Sequence, residues 1–414
     1  MFLYKFLLYL ISYLSLPFFI LKIFNNPQQW KQRLGLHKIP KDIAGCIWLH
    51  AASMGEVNAI KPVIKKLTKK YSNKNICITT MTKTGYENAA QLTRKFPNVY
   101  NFFVPLDLPF AVKNTFKKFK PEILIVTETE LWPLLIHYSR KYGCKSILIN
   151  GRMTEKSFRE YKLFDPIFKE IISCFDFLSV QTKLDKKKFK YFTHKKVEVS
   201  GNIKFALDIP SRNKEDIKKR WKVGSDFIIT LGSSRPGEEE LLINLHKYLK
   251  EHKVKHQIIL APRHLERLNE IKLLLKKEEV NFATLSENKN SFDLLLIDKM
   301  GVLVAAYAVS NLAIVGGSFY DFGGHNPLEA AYFGLPIIMG KYYSSCKESV
   351  EILQKNCAIL ICDKDNLSKH SLHLIQNETK RENMGAAALK TLEANKESLG
   401  KTVQLINKLI FDKD

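Results

Sequence analysis

The chain has 414 residues, of which 45% are hydrophobic and 26% charged, a globular composition long enough for two ordinary domains. Its formal net charge of +24 suits an anionic partner, either nucleic acid or an anionic membrane surface. Seven cysteines without a CxxC pair or a His/Cys ligand spacing argue against a disulfide framework, and they favour reduced thiols in a cytoplasmic body.

The first 24 residues predict a membrane anchor. Residues 6–21 carry no charge and are rich in Leu, Phe and Tyr, although sixteen residues are marginal for spanning a bilayer and Pro17 interrupts them. No small-residue cleavage site is evident before Asn25, so we expect an uncleaved anchor that spans or lies in the membrane. The excess of positive charge after the segment predicts a body on the cytoplasmic side. The alternative is a first helix packed in the core.

Apolar strands alternate with amphipathic helices twice along the chain, first over residues 46–205 and again from residue 227. This alternation predicts two doubly wound, Rossmann-like α/β domains with mostly parallel sheets, which bind ligands at the carboxyl ends of their strands. Two such domains facing each other would leave a central cleft as the natural active site. The predicted organisation is a membrane-anchor helix (1–24), a first domain (25–206), a polar linker (207–226), a second domain (227–385) and a C-terminal helical segment (386–414).

Acidic residues follow two predicted strands of the first domain. In WLHAASMGEVNAI a strand ends, the chain turns, and Glu56 enters the first turn of a helix, where the helix dipole favours a carboxylate. In VTETELWP the acids Glu128 and Glu130 stand two residues apart at the end of a buried strand. These acids could accept a proton, orient a charge or bind substrate hydroxyls. Ordinary helix starts are the alternative reading.

Basic residues also follow strands. NGRM and GNIKFA place Arg152 and Lys204 where cations suit an anionic ligand, with surface salt bridges as the alternative. In the second domain, LGSSRPGEEELL puts Ser, Gly and Pro before an acidic helix start, and LAPRHLER puts Arg263 and His264 after a strand. Two basic groups with a glycine-rich turn and a helix dipole predict a phosphate pocket.

The stretch GGHNPLEAAYFG predicts a capped helix after a glycine turn. Asn326 suits the N-cap, Pro327 the first helical position, and Glu329 the third position of a capping box. Such a helix start presents free N–H groups to a phosphate, and a well-built structural connection is the alternative. The sequence has neither a GxxxxGK[ST] nor a GxGxxG motif, nor a DxD-like pair at a strand end. We therefore expect no metal site and no cofactor.

Acids in the first half and phosphate-type groups in the second suit a nucleotide-sugar transferase. The motifs WLHAASMGE, TTMTKTG, TETELWP, GNIKF, GSSRPGEEE, APRHLER and VGGSFYDFGGHNPLEAAYFGLPIIMG occur in this order along nearly the whole chain. Together they resemble the Kdo (3-deoxy-D-manno-octulosonic acid) transferases of Gram-negative lipopolysaccharide biosynthesis. The resemblance implies a two-domain GT-B glycosyltransferase at the cytoplasmic face of the inner membrane. It would move Kdo from CMP-Kdo onto a lipid A precursor (lipid IVA), with inversion and without a metal.

The resemblance also implies roles for particular residues. Glu56 matches the family's general base, and Glu128 and Lys204 match the positions that stabilise the transition state. The implied CMP contacts are Pro262, Arg263, Met300, Gly301, Val302, Asn326, Pro327, Leu328 and Glu329. The chain departs from the family at Val302, which replaces a usual glutamate so that only backbone contacts remain there, and at Arg235, where the family commonly has histidine.

Two other functions stay open at this point. One is a GT-B glycosyltransferase that uses another nucleotide sugar, such as a UDP-sugar, because the fold does not fix the donor. The other is a membrane-anchored basic protein that binds nucleic acid with steeply salt-dependent affinity. The sequence shows no recognised nucleic-acid module, so we expect no nucleic-acid partner. The predicted partners are CMP-Kdo, a lipid A precursor and inner-membrane lipid.

Overall fold

The computed structural model describes residues 16–411 apart from 40–42, 208, 210–212, 225–226 and 288. The chain divides into two compact units, the first comprising Met1–Ala206 with Asn395–Asp414 and the second comprising Leu207–Ala394. Each unit is built on a parallel β-sheet whose strands alternate with helices. The prediction of two doubly wound α/β domains is therefore confirmed.

The described part of the first unit contains a seven-stranded sheet in the order β3-β2-β1-β4-β5-β6-β7. Its strands are β1 (Ile47–His50), β2 (Ile76–Thr80), β3 (Val99–Phe103), β4 (Ile123–Thr127), β5 (Lys145–Gly151), β6 (Phe177–Val180) and β7 (Val197–Val199). Its helices are Leu16–Asn25, Pro27–Arg33, Met54–Lys70, Lys83–Lys95, Pro109–Phe119, Pro133–Lys141, Glu155–Leu163, Asp165–Cys174, Lys183–Phe192 and Ser398–Phe411, with a 3₁₀ turn at Ile203–Phe205. The strand order reverses between β1 and β4, which is where ligands bind in such sheets.

In the second unit, the described residues form a seven-stranded sheet in the order β10-β11-β9-β8-β12-β13-β14. Its strands are β8 (Phe227–Ser234), β9 (His256–Pro262), β10 (Phe282–Thr284), β11 (Leu294–Leu296), β12 (Leu312–Val315), β13 (Ile337–Met339) and β14 (Ile359–Ile361). Its helices are Lys214–Trp221, Glu238–Glu251, Leu268–Lys277, Leu303–Val309, Leu328–Tyr332, Lys347–Lys355, Leu367–Gln376 and Glu378–Lys396, with 3₁₀ turns at Leu265–Arg267, Ser344–Cys346 and Lys364–Asn366. Here the order reverses between β8 and β12.

Both faces of each sheet are buried, which explains the continuous apolar runs in the sequence. In β1, Trp48 packs into one core cluster while Ile47 and Leu49 pack into the other, because alternate side chains point to opposite faces. The Trp48 ring lies 5.0 Å from that of Phe116 and 5.1 Å from that of Phe119, measured between centroids. These rigid sheets fix the positions of the loops that follow their strands.

The structure differs from the predicted organisation at two edge strands and two boundaries. Strands β3 and β10 were not predicted, because β3 is only partly buried and β10 has three residues, so neither gives a long apolar run. The predicted linker 207–226 contains the helix Lys214–Trp221, whose buried face packs on the second unit. Within the predicted segment 386–414, helix Ser398–Phe411 joins the core of the first unit.

No helix in the described ranges has the length and apolar character needed to cross a membrane. The predicted anchor covers residues 1–24, of which residues 1–15 lie outside the described part of the chain. The described helix Leu16–Asn25 exposes Leu21 by 66% and Phe24 by 79%.

Candidate active site

The glutamate predicted as a base lies at the start of the helix Met54–Lys70, directly after β1. Ser53 caps this helix, and its Oγ accepts a hydrogen bond from the Glu56 backbone N–H at 3.3 Å. The Glu56 carboxylate turns back, accepting from the Ser53 hydroxyl at 3.0 Å and from the Ala52 N–H at 2.8 Å. The side chain is thereby fixed at the switch point of the first sheet, with Glu56 only 8% exposed.

The environment of Glu56 makes it a weaker acid than an ordinary glutamate. The pKa of Glu56 is raised to about 7 by burial and by the negative charges of Glu128 and Glu130, against the opposing effect of the hydrogen bonds from Ala52 and Ser53. A carboxyl with a pKa near 7 is a much stronger base than an ordinary glutamate while still being partly ionised at neutral pH. The site can therefore accept a proton.

The two other predicted catalytic residues form an ion pair. Glu128 follows β4 with a left-handed φ of 59°, an uncommon conformation for a residue with a side chain, and its N–H donates to Ile149 O at 2.9 Å. Lys204 lies in the 3₁₀ turn Ile203–Phe205, which is capped by the Asn202 side chain. Lys204 Nζ lies 2.5 Å from Glu128 Oε1, and both side chains are about one-quarter exposed. The strained backbone at Glu128 is typical of functional sites.

Two residues at this switch point were not assigned a role from the sequence. His50, the last residue of β1, is fully buried, and its Nε2 lies 3.9 Å from Glu130 Oε2. Trp132 Nε1 donates to the same Glu130 oxygen at 2.8 Å. The motif TETELWP pointed to Glu130 as an acid at a strand end. The contact of His50 with Glu130 depends on the pairing of β1 with β4, which the spacing of residues in the sequence does not reveal.

Arg152, the other basic residue predicted in this unit, follows β5. Its side chain is half-buried, and its carbonyl oxygen accepts a hydrogen bond from the Thr129 hydroxyl. This bond links the loops that follow β4 and β5.

The acidic helix start of the second unit has a structural role. Glu238 is 1% exposed, and its carboxylate accepts from the N–H groups of Gly317 at 2.7 Å, Ser318 at 2.9 Å, Phe319 at 3.0 Å and Arg235 at 2.9 Å. The glycine turn after β12 therefore directs its N–H groups to a carboxylate of the protein. These amides are therefore not free to bind a phosphate.

Cationic side chains gather near that turn. The Arg235 guanidinium contacts His264 Nε2 and lies over the Phe322 ring, 5.5 Å from its centroid. The pKa of His325 is lowered to about 4 by burial and by the positive charges of Arg263, Arg235 and His264. An anionic ligand would relieve this mutual repulsion, so the cluster is chemically suited to phosphate or carboxylate.

The predicted capped helix at NPLE is shorter than expected. It spans only Leu328–Tyr332 and has Pro327 at its N-cap position, while Asn326 Oδ1 accepts from Leu328 N at 3.2 Å. The capping box expected between Asn326 and Glu329 is not formed, because the helix starts one residue later than the sequence predicted. A five-residue helix has little dipole, so its side chains and loop carry the chemistry here.

The remaining predicted CMP contacts lie at the end of β9 and just before the helix Leu303–Val309. Pro262 ends β9, and Arg263 N donates to Ser234 O at 3.1 Å. Burial raises the pKa of Glu329, while the positive charge of Arg263 opposes that rise, so these two side chains lie within electrostatic reach. The stretch 300–302 precedes helix Leu303–Val309, which packs against the helix Leu328–Tyr332. Within 300–302, Met300 is 65% exposed.

Gly317 is required for this arrangement. Its φ is +70°, and a Cβ added there would lie 2.9 Å from His325 Cδ2. The glycine turn can therefore approach the His325 ring as closely as it does only without a side chain.

Comparisons with known proteins agree with this architecture. Residues 28–207 match the family model described as 3-deoxy-D-manno-octulosonic-acid transferase (kdotransferase). A 3-deoxy-D-manno-octulosonic acid transferase of Haemophilus influenzae is 31% identical over 370 residues, which cover 87% of this chain and 86% of that protein. A bifunctional glycosyltransferase/methyltransferase of Fusobacterium nucleatum is 32% identical over 343 residues, which cover 80% of this chain but only 53% of that protein.

Among solved structures, MurG of Acinetobacter baumannii is similar with a TM-score of 0.55 at 13% identity, covering 88% of this chain and 99% of that one. At this identity the similarity shows a shared fold and nothing about the substrate.

Proposed function

The chain belongs to the Kdo transferase family, and from this premise we propose that it transfers Kdo from CMP-Kdo to a hydroxyl of a lipid A precursor, lipid IVA, with inversion. The observation that carries the mechanism is Glu56, a buried carboxyl at the switch point of the first sheet with its pKa raised to about 7. The ion pair of Glu128 with Lys204, in the same unit, supplies both signs of charge.

In the proposed mechanism Glu56 is the general base. A sugar hydroxyl has a pKa far above 7, so it loses its proton only as it attacks. As the acceptor oxygen bonds to the anomeric carbon of Kdo, its proton passes to a Glu56 carboxylate oxygen, and the bond between that carbon and the CMP phosphate breaks. Such assistance typically contributes about 10²–10⁴-fold in rate. Because the acceptor displaces CMP directly, it attacks from the opposite side and inverts the configuration.

Glu128 and Lys204 stabilise the charges that develop. The anomeric carbon becomes positive as CMP departs, and the Glu128 carboxylate can stabilise it. Lys204 can neutralise the carboxylate of the acidic sugar or the leaving phosphate. Their ion pair keeps both charged groups in place before the substrate binds.

The second unit is proposed to bind the donor. Arg263 and Arg235 supply positive charge for the phosphate of CMP beside the His264 and His325 rings, so the reaction as proposed requires no divalent metal. Glu329, which lies within electrostatic reach of Arg263, is proposed to accept hydrogen bonds from ribose hydroxyls. We also assign CMP contacts to Pro262, to 300–302 through the backbone at Val302, and to 326–328.

We place the protein at the inner membrane, with its body on the cytoplasmic side. The support is the uncharged segment 6–21 and the exposed Leu21 and Phe24 of the helix Leu16–Asn25. Cell fractionation would test this by comparing the full chain with one lacking residues 1–24 and with the Leu21→Ser/Phe24→Ser variant. Recovery of all three in the soluble fraction would contradict the location.

A transfer assay tests the function itself. The purified full chain would receive CMP-Kdo, generated in place, and lipid IVA, with a chelator present, and products would be weighed by mass spectrometry. Glu56→Gln is the informative variant, since glutamine can still accept from the Ala52 N–H. Its matched control is Glu122→Gln, at a surface pair with Lys74 in the same unit. We expect Kdo-bearing lipid from the native chain and the control, and at least about 10²-fold less from Glu56→Gln.

The outcomes separate the parts of the proposal. No product from a folded native chain would contradict Kdo transfer to this acceptor, and full activity in Glu56→Gln would leave the enzyme without the proposed base. Competition by CMP and by UDP then tests the donor, because stronger inhibition by UDP would favour a UDP-sugar transferase.

A further inference from the structure

The carboxylate of Glu130 is held on two sides. Trp132 Nε1 donates to its Oε2 at 2.8 Å, and His50 Nε2 lies 3.9 Å from the same oxygen. The His50 and Trp132 rings meet edge to face, with centroids 6.4 Å apart. Glu130 is only 30% exposed, so this arrangement leaves its carboxylate little freedom to turn away.

His50 is itself fixed from behind. Its Nδ1 lies 3.2 Å from Thr79 O and 3.1 Å from Thr79 Oγ1, and Trp48 Nε1 donates to that hydroxyl at 2.9 Å. These contacts fix the plane of the imidazole ring, with Nε2 facing the Glu130 carboxylate.

Glu130 keeps its negative charge in this setting. Burial acts to raise the pKa of Glu130, but the neighbouring His50 ring and the hydrogen bond from Trp132 outweigh burial and lower it. The charge acts on its neighbours, since it contributes to the raised pKa values of both Glu56 and Tyr161. Glu130 is therefore an ionised group within electrostatic reach of the proposed base.

Two negative charges act on Glu56, those of Glu128 and Glu130, and each carboxylate has different partners. Glu128 also raises the pKa of Glu56, but its carboxylate is paired with Lys204 at 2.5 Å and is proposed to act on the substrate. Glu130 is held by a histidine and an indole instead. We propose that Glu130 is a positioning residue for proton transfer, whose carboxylate, fixed by Trp132 and His50, keeps Glu56 ready to accept the acceptor's proton. This inference rests on the proposed role of Glu56 as the base.

The test is the pH dependence of kcat/KM in the transfer assay, for the native chain, Glu130→Gln and the control Glu122→Gln. Glutamine at position 130 retains an oxygen that can accept from Trp132, so the variant removes charge with little change in shape. Without that charge Glu56 becomes more acidic, so the acid limb should move to lower pH by about half a pH unit. A weaker base also transfers the proton more slowly, so the plateau should fall by about twofold.

Glu130→Met is a second variant, in case Glu130→Gln fails to fold, and Trp132→Phe is its matched control because it removes only the N–H donor. Trp132→Phe leaves Glu130 ionised near pH 7, so the acid limb should stay in place, whereas Glu130→Met, the replacement for Glu130→Gln, removes the same charge and should move the limb to lower pH by a similar amount.

The results distinguish this inference from the proposed function. A plateau that falls while the acid limb stays in place would mean that Glu130 only supports the local structure, and it would overturn the inference. An equal movement of the limb in Glu122→Gln would also overturn it, because the cause would then be net charge. Absence of activity in the native chain, or full activity in Glu56→Gln, would instead contradict the proposed function.

Discussion

Glu56→Gln should stabilise the first unit above neutral pH while removing activity. The folded structure raises the pKa of Glu56 from 4.5 to about 7, chiefly by burial, and the residue is only 8% exposed. At about 1.36 kcal/mol per pH unit, ionising this carboxyl in the folded state costs about 3 kcal/mol. Glutamine retains an oxygen for the Ala52 N–H but carries no charge, so the variant avoids the cost.

The sign of the pH dependence follows from the direction of the pKa change. Below pH 4.5 the Glu56 carboxyl is protonated in both states, so the native chain and the variant should be about equally stable. Between pH 4.5 and about 7 the unfolded chain releases the proton while the folded chain keeps it, so the free energy of unfolding of the native chain falls as pH rises. The advantage of the variant should thus grow from near zero to about 2–3 kcal/mol at pH 8.

Urea denaturation followed by tryptophan fluorescence measures this advantage. A Trp221→Phe background removes the tryptophan of the second unit, so the emission reports the first unit alone. Glu122→Gln serves as the control, because the pair of Glu122 with Lys74 is partly exposed and such pairs contribute about 1 kcal/mol or less. A difference in unfolding free energy between Glu56→Gln and the native chain that is the same at pH 5 and pH 8 would refute the reasoning.

Three further substitutions probe other parts of the molecule. Lys204→Met leaves Glu128 without its 2.5 Å partner, and we expect about a 10²-fold loss of kcat in the transfer assay with less than about 1 kcal/mol lost in urea denaturation. Glu238→Gln replaces a carboxylate that accepts four N–H bonds, so it should lower the free energy of unfolding by about 2–3 kcal/mol, measured by calorimetry of the full chain. Arg267 pairs with the fully buried Glu239 at 2.8 Å, and Arg267→Met leaves that carboxylate only the hydrogen bond from the Ser234 hydroxyl, so it should lower the free energy of unfolding by about 3–5 kcal/mol. Adding Glu239→Leu should restore most of that stability, and no restoration would mean that the ion pair is not the cause.

Hydrophobic patterning was sufficient for the architecture, because strands buried on both faces leave long apolar runs. The sequence therefore placed Glu56, Glu128 and Lys204 after strands or at helix starts, where the structure has them. What patterning does not contain is which strand ends meet. His50 reads as the last residue of a buried strand, and only the β1–β4 pairing brings it to Glu130.

Glu238 illustrates the same limit in the second unit. Its position in GSSRPGEEE correctly indicated a helix start, but its hydrogen-bond partners at 317–319 lie about eighty residues further along the chain. A local signal cannot say whether a carboxylate at a helix start faces solvent or caps a distant turn. The predicted start of the NPLE helix was wrong for a related reason. Backbone hydrogen bonds from 324–325 to the glycine turn at 316–317 hold this stretch as a loop, so the helix begins only at Leu328.

Because the last helix packs on the first unit, that unit can complete its fold only after the second unit has been synthesised. Helix Ser398–Phe411 fills the core of the first unit, and Ser398 Oγ donates to the carbonyl of Asn202, two residues before Lys204. The whole of Leu207–Ala394 is synthesised between these parts, which takes about 10–40 s at about 5–20 residues per second. The second unit can thus fold on the ribosome while the core of the first unit still lacks the helix Ser398–Phe411. The hydrogen bond from Ser398 to Asn202, next to the turn that carries Lys204, can form only at the end of synthesis.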